Sequence, residues 1–147
     1  MIYSGDYYED DLKYLAEHSS NKDIKVFIEA FIAEVEESQS AELCLMQWKA
    51  DCVNPFFNVR AINHLQKKGY NLYRLRPLGS NKINRFRIIY AYDNEYDDFY
   101  LLAVVEKLSE NQKGITVHDR IYNYEEAHAI IERVCDEYDE LNIPKLH

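Results

Sequence analysis

Arg74 and Arg76, then Arg85 and Arg87, are each spaced by two inside runs of aromatic and β-branched residues. A period of two places alternate side chains of a strand on one face, so each pair is expected to share a side of its strand. If the two strands align, four guanidinium groups meet on one surface, and Lys82 in the intervening loop adds a further cation. Arginine suits phosphate because its planar fork donates two parallel hydrogen bonds and stays charged at any physiological pH. Tyr73, Leu75, Phe86, Ile88 and Tyr90 alternate with the arginines and are expected to face a helix-covered side. The same arginines could instead pair with carboxylates of the flanking acidic segments, a purely structural use.

Proton transfer would need other groups. His118, Arg120, Tyr122 and Tyr124 fall between the last strand-like run and the last helix-like run, where a loop could carry them to the arginine face. Lys107 closes the strand before that loop. Most of the 13 tyrosines must simply pack, so a core or capping role competes for each of them. No Gly-rich phosphate loop, catalytic carboxylate pair, Ser/His/Asp series or metal-ligand spacing occurs, so neither a cofactor nor a metal is expected.

Charge is segregated along the chain. Residues 1–42 hold three basic against eleven acidic side chains, residues 43–92 nine against one, and residues 93–147 five against fourteen, for a formal total of −9. A polyanion gains nothing from the average field of such a molecule. A concentrated positive face still binds phosphate locally, where short distances outweigh screened repulsion.

The 147 residues are enough for one core, with 47% hydrophobic and 14% aromatic side chains, and a single domain is expected over residues 1–147. Cys44, Cys52 and Cys135 are odd in number and widely spaced, which reads as buried free thiols. No signal-peptide pattern or bilayer-length apolar run is present, so a soluble cytoplasmic protein without a membrane partner is expected.

Helical spacing of Tyr8, Leu12 and Leu15 behind Asp6 predicts a helix to about His18, and Ile24, Phe27, Ile28, Phe31, Ile32 and Val35 form a continuous apolar stripe of a second. Residues 41–50 fit a strand or a helical turn equally. Asn58 as a cap, Ile62 and Leu65 as an apolar face and Gly69 as a left-handed stop predict a three-turn helix. Beyond it, Asn71 to Leu78, Asn84 to Asp93 and Phe99 to Lys107 read as an antiparallel meander whose third strand is central. Residues 108–122 read as a loop. Asn123 and Glu126 resemble a capping box for a final helix with Ala127, Ile130, Ile131, Val134, Cys135, Tyr138 and Leu141 as its stripe. The class is α+β: a small antiparallel sheet of three or more strands with helices before and after it.

The run Tyr73-Arg74-Leu75-Arg76-Pro77-Leu78, then Arg85-Phe86-Arg87-Ile88-Ile89-Tyr90 with its Arg-apolar-apolar-Tyr element, then the apolar strand ending at Lys107, resembles the RelE/ParE superfamily of bacterial toxins over roughly residues 58–140. The resemblance implies the toxin of a type II toxin–antitoxin pair, with basic residues on a concave sheet. RelE-like members cleave messenger RNA on the ribosome without metal; ParE-like members bind a gyrase-type protein target instead. A nucleic-acid-binding module is the third alternative. Carried over, Arg87 stabilises the transition-state phosphate charge, with Arg74, Arg76, Lys82 and Arg85 as weaker matches. Tyr122, Tyr124, Lys107 or His118 would serve as acid or base. The implied partners are a cognate antitoxin and the mRNA-bearing ribosome, with the chain in a homodimer or a toxin–antitoxin hetero-oligomer. Family members open with a strand and two helices and are basic overall. Here residues 1–42 read as an acidic helical region with no first strand.

Overall fold

The structure is a computed structural model that describes residues 1–19, 21–46, 54–79, 82–107, 120–122 and 128–146. Its elements are β1 (Ile2–Ser4), α1 (Asp6–His18), α2 (Ile24–Glu37), α3 (Gln39–Leu45), β2 (Phe57–Ala61), α4 (Asn63–Gln66), β3 (Leu72–Pro77), β4 (Phe86–Asp93), β5 (Asp98–Glu106) and α5 (Ala129–Glu140). The strands form one mixed sheet in the order β1-β5-β4-β3-β2, antiparallel except where β1 runs parallel to β5. The protein is therefore α+β, with helices at both ends of the sequence.

Each face of the sheet is covered by its own apolar cluster. Tyr8, Leu12 and Leu15 of α1 and Ile24, Ile28, Phe31, Ile32 and Val35 of α2 pack on Phe57, Val59, Tyr73, Leu75, Phe86, Ile88 and Tyr90. On the other face, Ile130, Ile131, Val134 and Tyr138 of α5, with Leu65 of α4, pack on Leu72, Ile89, Ala91, Leu102, Ala103 and Val105. Burial of large apolar side chains contributes most of the stabilisation of such layers. A register shift at Ile89/Tyr90 lets the adjacent Leu102 and Ala103 of β5 both join the second cluster, as expected where one strand carries an extra residue.

Several expectations need correction. Residues 58–69 do not form one helix: Phe57–Ala61 is the edge strand β2, and only Asn63–Gln66 is helical. Asn58 is thus a strand residue and not a cap. Gly69 does adopt the left-handed conformation foreseen for it, with φ of 93°. The first strand exists; three residues suffice because the Phe99 amide donates to the Met1 carbonyl and the Gly5 amide to the Leu101 carbonyl, both at 2.9 Å. Gly5, not Asp6, caps α1. Of residues 41–50, which fit a strand or a helical turn equally, Ala41 to Leu45 belong to α3. Residues 108–119 and the capping box at Asn123 and Glu126 lie outside the described residues, and α5 begins at Ala129 behind His128, whose Nδ1 accepts from the Ile130 amide at 3.1 Å. Leu141 is 41% exposed and does not continue the stripe. Cys44 is disulfide-bonded, so it is no free thiol, whereas Cys135 is free and half-buried. Burial, followed by the Asp139 and Asp136 carboxylates, pushes the Cys135 thiol up to about 11.

Gly5 is closely packed: a Cβ there would displace the carboxylate of Glu137 and stand 3.1 Å from the Leu101 carbonyl oxygen. Glu137 is 8% exposed and its Oε2 makes no hydrogen bond among the described residues. Burial raises its pKa, opposed by Arg133. The folded chain then holds this proton more tightly than the unfolded chain does, so stability falls as pH rises from the ordinary 4.5 through the folded-state value. Glu137→Gln is expected to raise the melting temperature at pH 7 and to flatten that fall. A lower melting temperature at pH 7 would contradict this reading.

Candidate functional site

Strand alternation gathers Arg74, Arg76 and Arg87, three of the four arginines expected to meet. Val59, Tyr73, Leu75, Phe86 and Ile88 turn into the α1–α2 cluster, and the residues between them face the other way. There Asn58 and Arg60 of β2, Arg74 and Arg76 of β3, Arg87 of β4 and Lys107 line one pocket of about 190 Å³. The register explains the convergence: Asn58 pairs with Arg76, Arg60 with Arg74, and Arg74 with Ile89. Continued by one residue, that β3–β4 register brings Arg76 opposite Arg87. The described lining holds five cationic side chains and an amide, and no carboxylate.

The members differ in exposure. Arg60 and Arg76 are exposed and Arg74 is half-buried. Arg87 is only 6% exposed, and its Nη1 donates to the carbonyls of Asn84 at 2.7 Å and Phe86 at 3.0 Å. That guanidinium is held in place by backbone, the arrangement that makes a donor effective without reorganisation. Lys107 follows β5 directly, and its amide donates to the Arg85 carbonyl at 2.8 Å.

Other predicted site residues lie elsewhere. Arg85 precedes β4 in the turn and does not line the pocket. Lys82 is on the opposite face, its ammonium 5.0 Å from the ring centre of Phe27 on α2. Tyr122 is fully buried in the second cluster, with its ring edge-on to His128 at 5.2 Å, so its place is a core contact. His118 and Tyr124 lie outside the described residues. The acidic helices α1 and α2 pack on the face away from the pocket and do not cover it.

Two lining residues, Asn58 and Arg60, escaped the sequence reading because their segment resembled a capped helix. Asp11 escaped it as well. Its carboxylate, fully buried, accepts from Arg133 Nη1 and Nη2 at 2.9 and 2.7 Å, from Arg120 Nε at 3.2 Å and from the Val104 amide at 2.9 Å. Arg133 in turn donates to the Leu102 carbonyl at 3.2 Å. Tyr14 lies under the Arg120 guanidinium at 4.0 Å and Tyr7 under that of Arg133 at 5.2 Å. The cluster ties α1 to α5 around the part of β5 that β1 is too short to pair. It also holds Arg120 where its carbonyl accepts from the Glu106 amide at 2.9 Å, one residue before Lys107.

A larger cleft of about 780 Å³, bordered by Asn63, Gln66, Asn71, Tyr73 and Tyr92, occupies the other end of the sheet. Two of its amides are engaged in structure: Gln66 Nε2 donates to the Leu72 carbonyl at 3.1 Å and Asn71 Nδ2 to the Tyr92 carbonyl at 2.9 Å. Tyr73 is pushed up to about 12 by burial, the wrong direction for a base. Of these two clefts, only the smaller is lined by arginines.

The fold and the pocket define an α+β protein with a phosphate-sized cationic recess on its sheet. No protein family, curated protein or solved structure matches the chain. No helix among the described residues is long and apolar enough to cross a membrane.

Proposed function

We propose that this chain is the toxin of a type II toxin–antitoxin pair, acting as a metal-independent endoribonuclease on ribosome-bound mRNA. One observation carries the reading: Arg60, Arg74, Arg76, Arg87 and Lys107, from three adjacent strands and the end of a fourth, converge on one recess. The chain opens on a strand followed by helices and closes on a helix after an antiparallel run, which supports the reading because the resemblance of the arginine strands implies a strand and two helices at the start; α3 and α4 are additions to that order.

In the proposed reaction the ribose 2′-oxygen loses its proton to a base and attacks the adjacent phosphorus. The bond from phosphorus to the 5′-oxygen breaks, leaving a 2′,3′-cyclic phosphate and a 5′-hydroxyl. Arg87, fixed by two carbonyls, and Arg74 and Arg76 take the growing charge of the phosphorane, where fixed donors lower the barrier most. Lys107, the proton-transfer candidate that lines the pocket, protonates the departing 5′-oxygen. His118 and Tyr124 remain as candidates for the base. Arg60 anchors a neighbouring phosphate from the edge strand.

Induced expression is expected to arrest growth and to create new RNA ends bearing 5′-hydroxyls. Arg76→Ala, an exposed substitution, should relieve both while leaving the protein folded. Arrest with intact RNA would point to a protein target of the gyrase type instead. An antitoxin whose acidic or apolar segment covers the recess is the implied partner. Ribosomal action places the protein in the cytoplasm, where a disulfide such as that of Cys44 is unusual. Thiol counting on protein isolated under native conditions checks its redox state.

A further inference from the structure

The rung beyond the cationic pocket is apolar and exposed. β2 and β3 pair Arg60 with Arg74 and Asn58 with Arg76. Two residues further along the same register Phe56 meets Leu78, the Leu78 amide donating to the Phe56 carbonyl at 2.7 Å. Phe56 is 61% exposed and Leu78 39%. Single exposed apolar residues are ordinary on protein surfaces. A phenyl ring and an isobutyl group side by side, one rung from a cluster of guanidinium groups, form a more specific combination.

We propose that Phe56, backed by Leu78, is a stacking platform for a nucleobase of single-stranded RNA whose phosphate occupies the arginine pocket. The inference rests on the RNA reading above and deepens it by naming a base subsite. Phe56 stands in the bend just before β2, two residues from Asn58, and two residues of extended chain span about 6.8 Å, within reach of a base joined through ribose to a phosphate held by Arg76. The platform is built rather than incidental. Asn54 Oδ1 accepts from the Phe56 amide at 2.8 Å, and Pro55 restricts the backbone between them. The next residue, Phe57, is buried and edge-on to Phe31 at 5.9 Å, which anchors the strand under the ring. On the Leu78 side the ring has Gly79 for a neighbour, where a Cβ would stand 3.5 Å from Phe56 Cδ1, so no side chain from Gly79 covers it. Phe56 also borders a cleft of about 280 Å³ against α2 and α3, but the charged residue among its described lining is Glu34, which repels phosphate. The nucleotide is therefore directed to the arginine side. Stacking uses the π-face that every base has, so the platform should accept any base.

The test compares two ligands on the full chain at one salt concentration: a short single-stranded oligoribonucleotide, and an abasic ribose-phosphate chain of the same length. Phe56→Ala should weaken binding of the oligoribonucleotide about 5- to 150-fold and leave the abasic chain unaffected. Phe56→Trp should bind both as the unsubstituted protein does. Equal affinity of Phe56→Ala and the unsubstituted protein for the oligoribonucleotide overturns the platform and leaves the arginine pocket standing. So does an equal loss on the abasic chain, or a loss in Phe56→Trp as large as in Phe56→Ala. If the unsubstituted protein binds neither ligand, the platform falls together with the RNA reading.

Discussion

Arg87→Lys is expected to slow RNA cleavage about 10²–10³-fold, although it keeps the positive charge. A lysine ammonium cannot bridge the Asn84 and Phe86 carbonyls and still present a second, in-plane donor to a phosphate oxygen, as the guanidinium does. The loss should appear in kcat, since a fixed donor acts most strongly on charge that develops in the transition state. Arg87→Ala should be equally inactive and also less stable, because it strips a donor from one buried and one part-buried carbonyl and leaves a void. Arg76→Ala separates the two effects: its side chain is exposed, so activity should drop while the melting temperature holds. Cleavage by Arg87→Lys at the rate of the unsubstituted protein would remove Arg87 from the chemistry.

Asp11→Ala is expected to destabilise the protein by about 3–5 kcal/mol, more than any surface substitution in the acidic helices. Its carboxylate answers two guanidinium groups and the Val104 amide in a fully buried position. Removing it leaves Arg120 and Arg133, at 25% and 19% side-chain exposure, partly desolvated without their counter-charge. Asp11→Leu combined with Arg133→Met should recover much of the loss, since an apolar pair avoids the penalty that a stranded charge suffers. Chemical denaturation of the single and double variants checks both statements. A loss below about 1 kcal/mol for Asp11→Ala would mean that the cluster is no more than a surface ion pair.

Much of this fold is written in hydrophobic period. Tyr8, Leu12 and Leu15, and the stripe from Ile24 to Val35, read as helices and are helices; the three runs after Gly69 alternate at period two and are strands. β2 was open to the same reading. Phe57, Val59 and Ala61 alternate with Asn58 and Arg60, but Asn58 and Gly69 frame the segment like a cap and a stop, and the helical pattern of Ile62 and Leu65 masked the alternation. β1 carries almost no local signal, because three residues gain strand character only from β5, nearly a hundred positions away. Asp11 looks like one more solvated acid on an acidic helix. What sets it apart in sequence is its place between Tyr7 and Tyr14 on one helical face, the two rings that underlie its arginine partners. Lys82 shows the limit of charge counting: a turn residue inherits no face from strand alternation, and here it turns towards Phe27 instead of the pocket.

RNA binding is proposed to rest on guanidinium groups from three adjacent strands, which hold its phosphates in one recess. Its most direct test is the affinity for a single-stranded oligoribonucleotide measured across a range of salt concentrations, for the unsubstituted protein and for Arg76→Ala. A steep fall in affinity is expected, with a slope of about 0.7 for each phosphate neutralised, and Arg76→Ala should lose close to one such increment. A flat salt response, or a slope untouched by Arg76→Ala, would contradict the account.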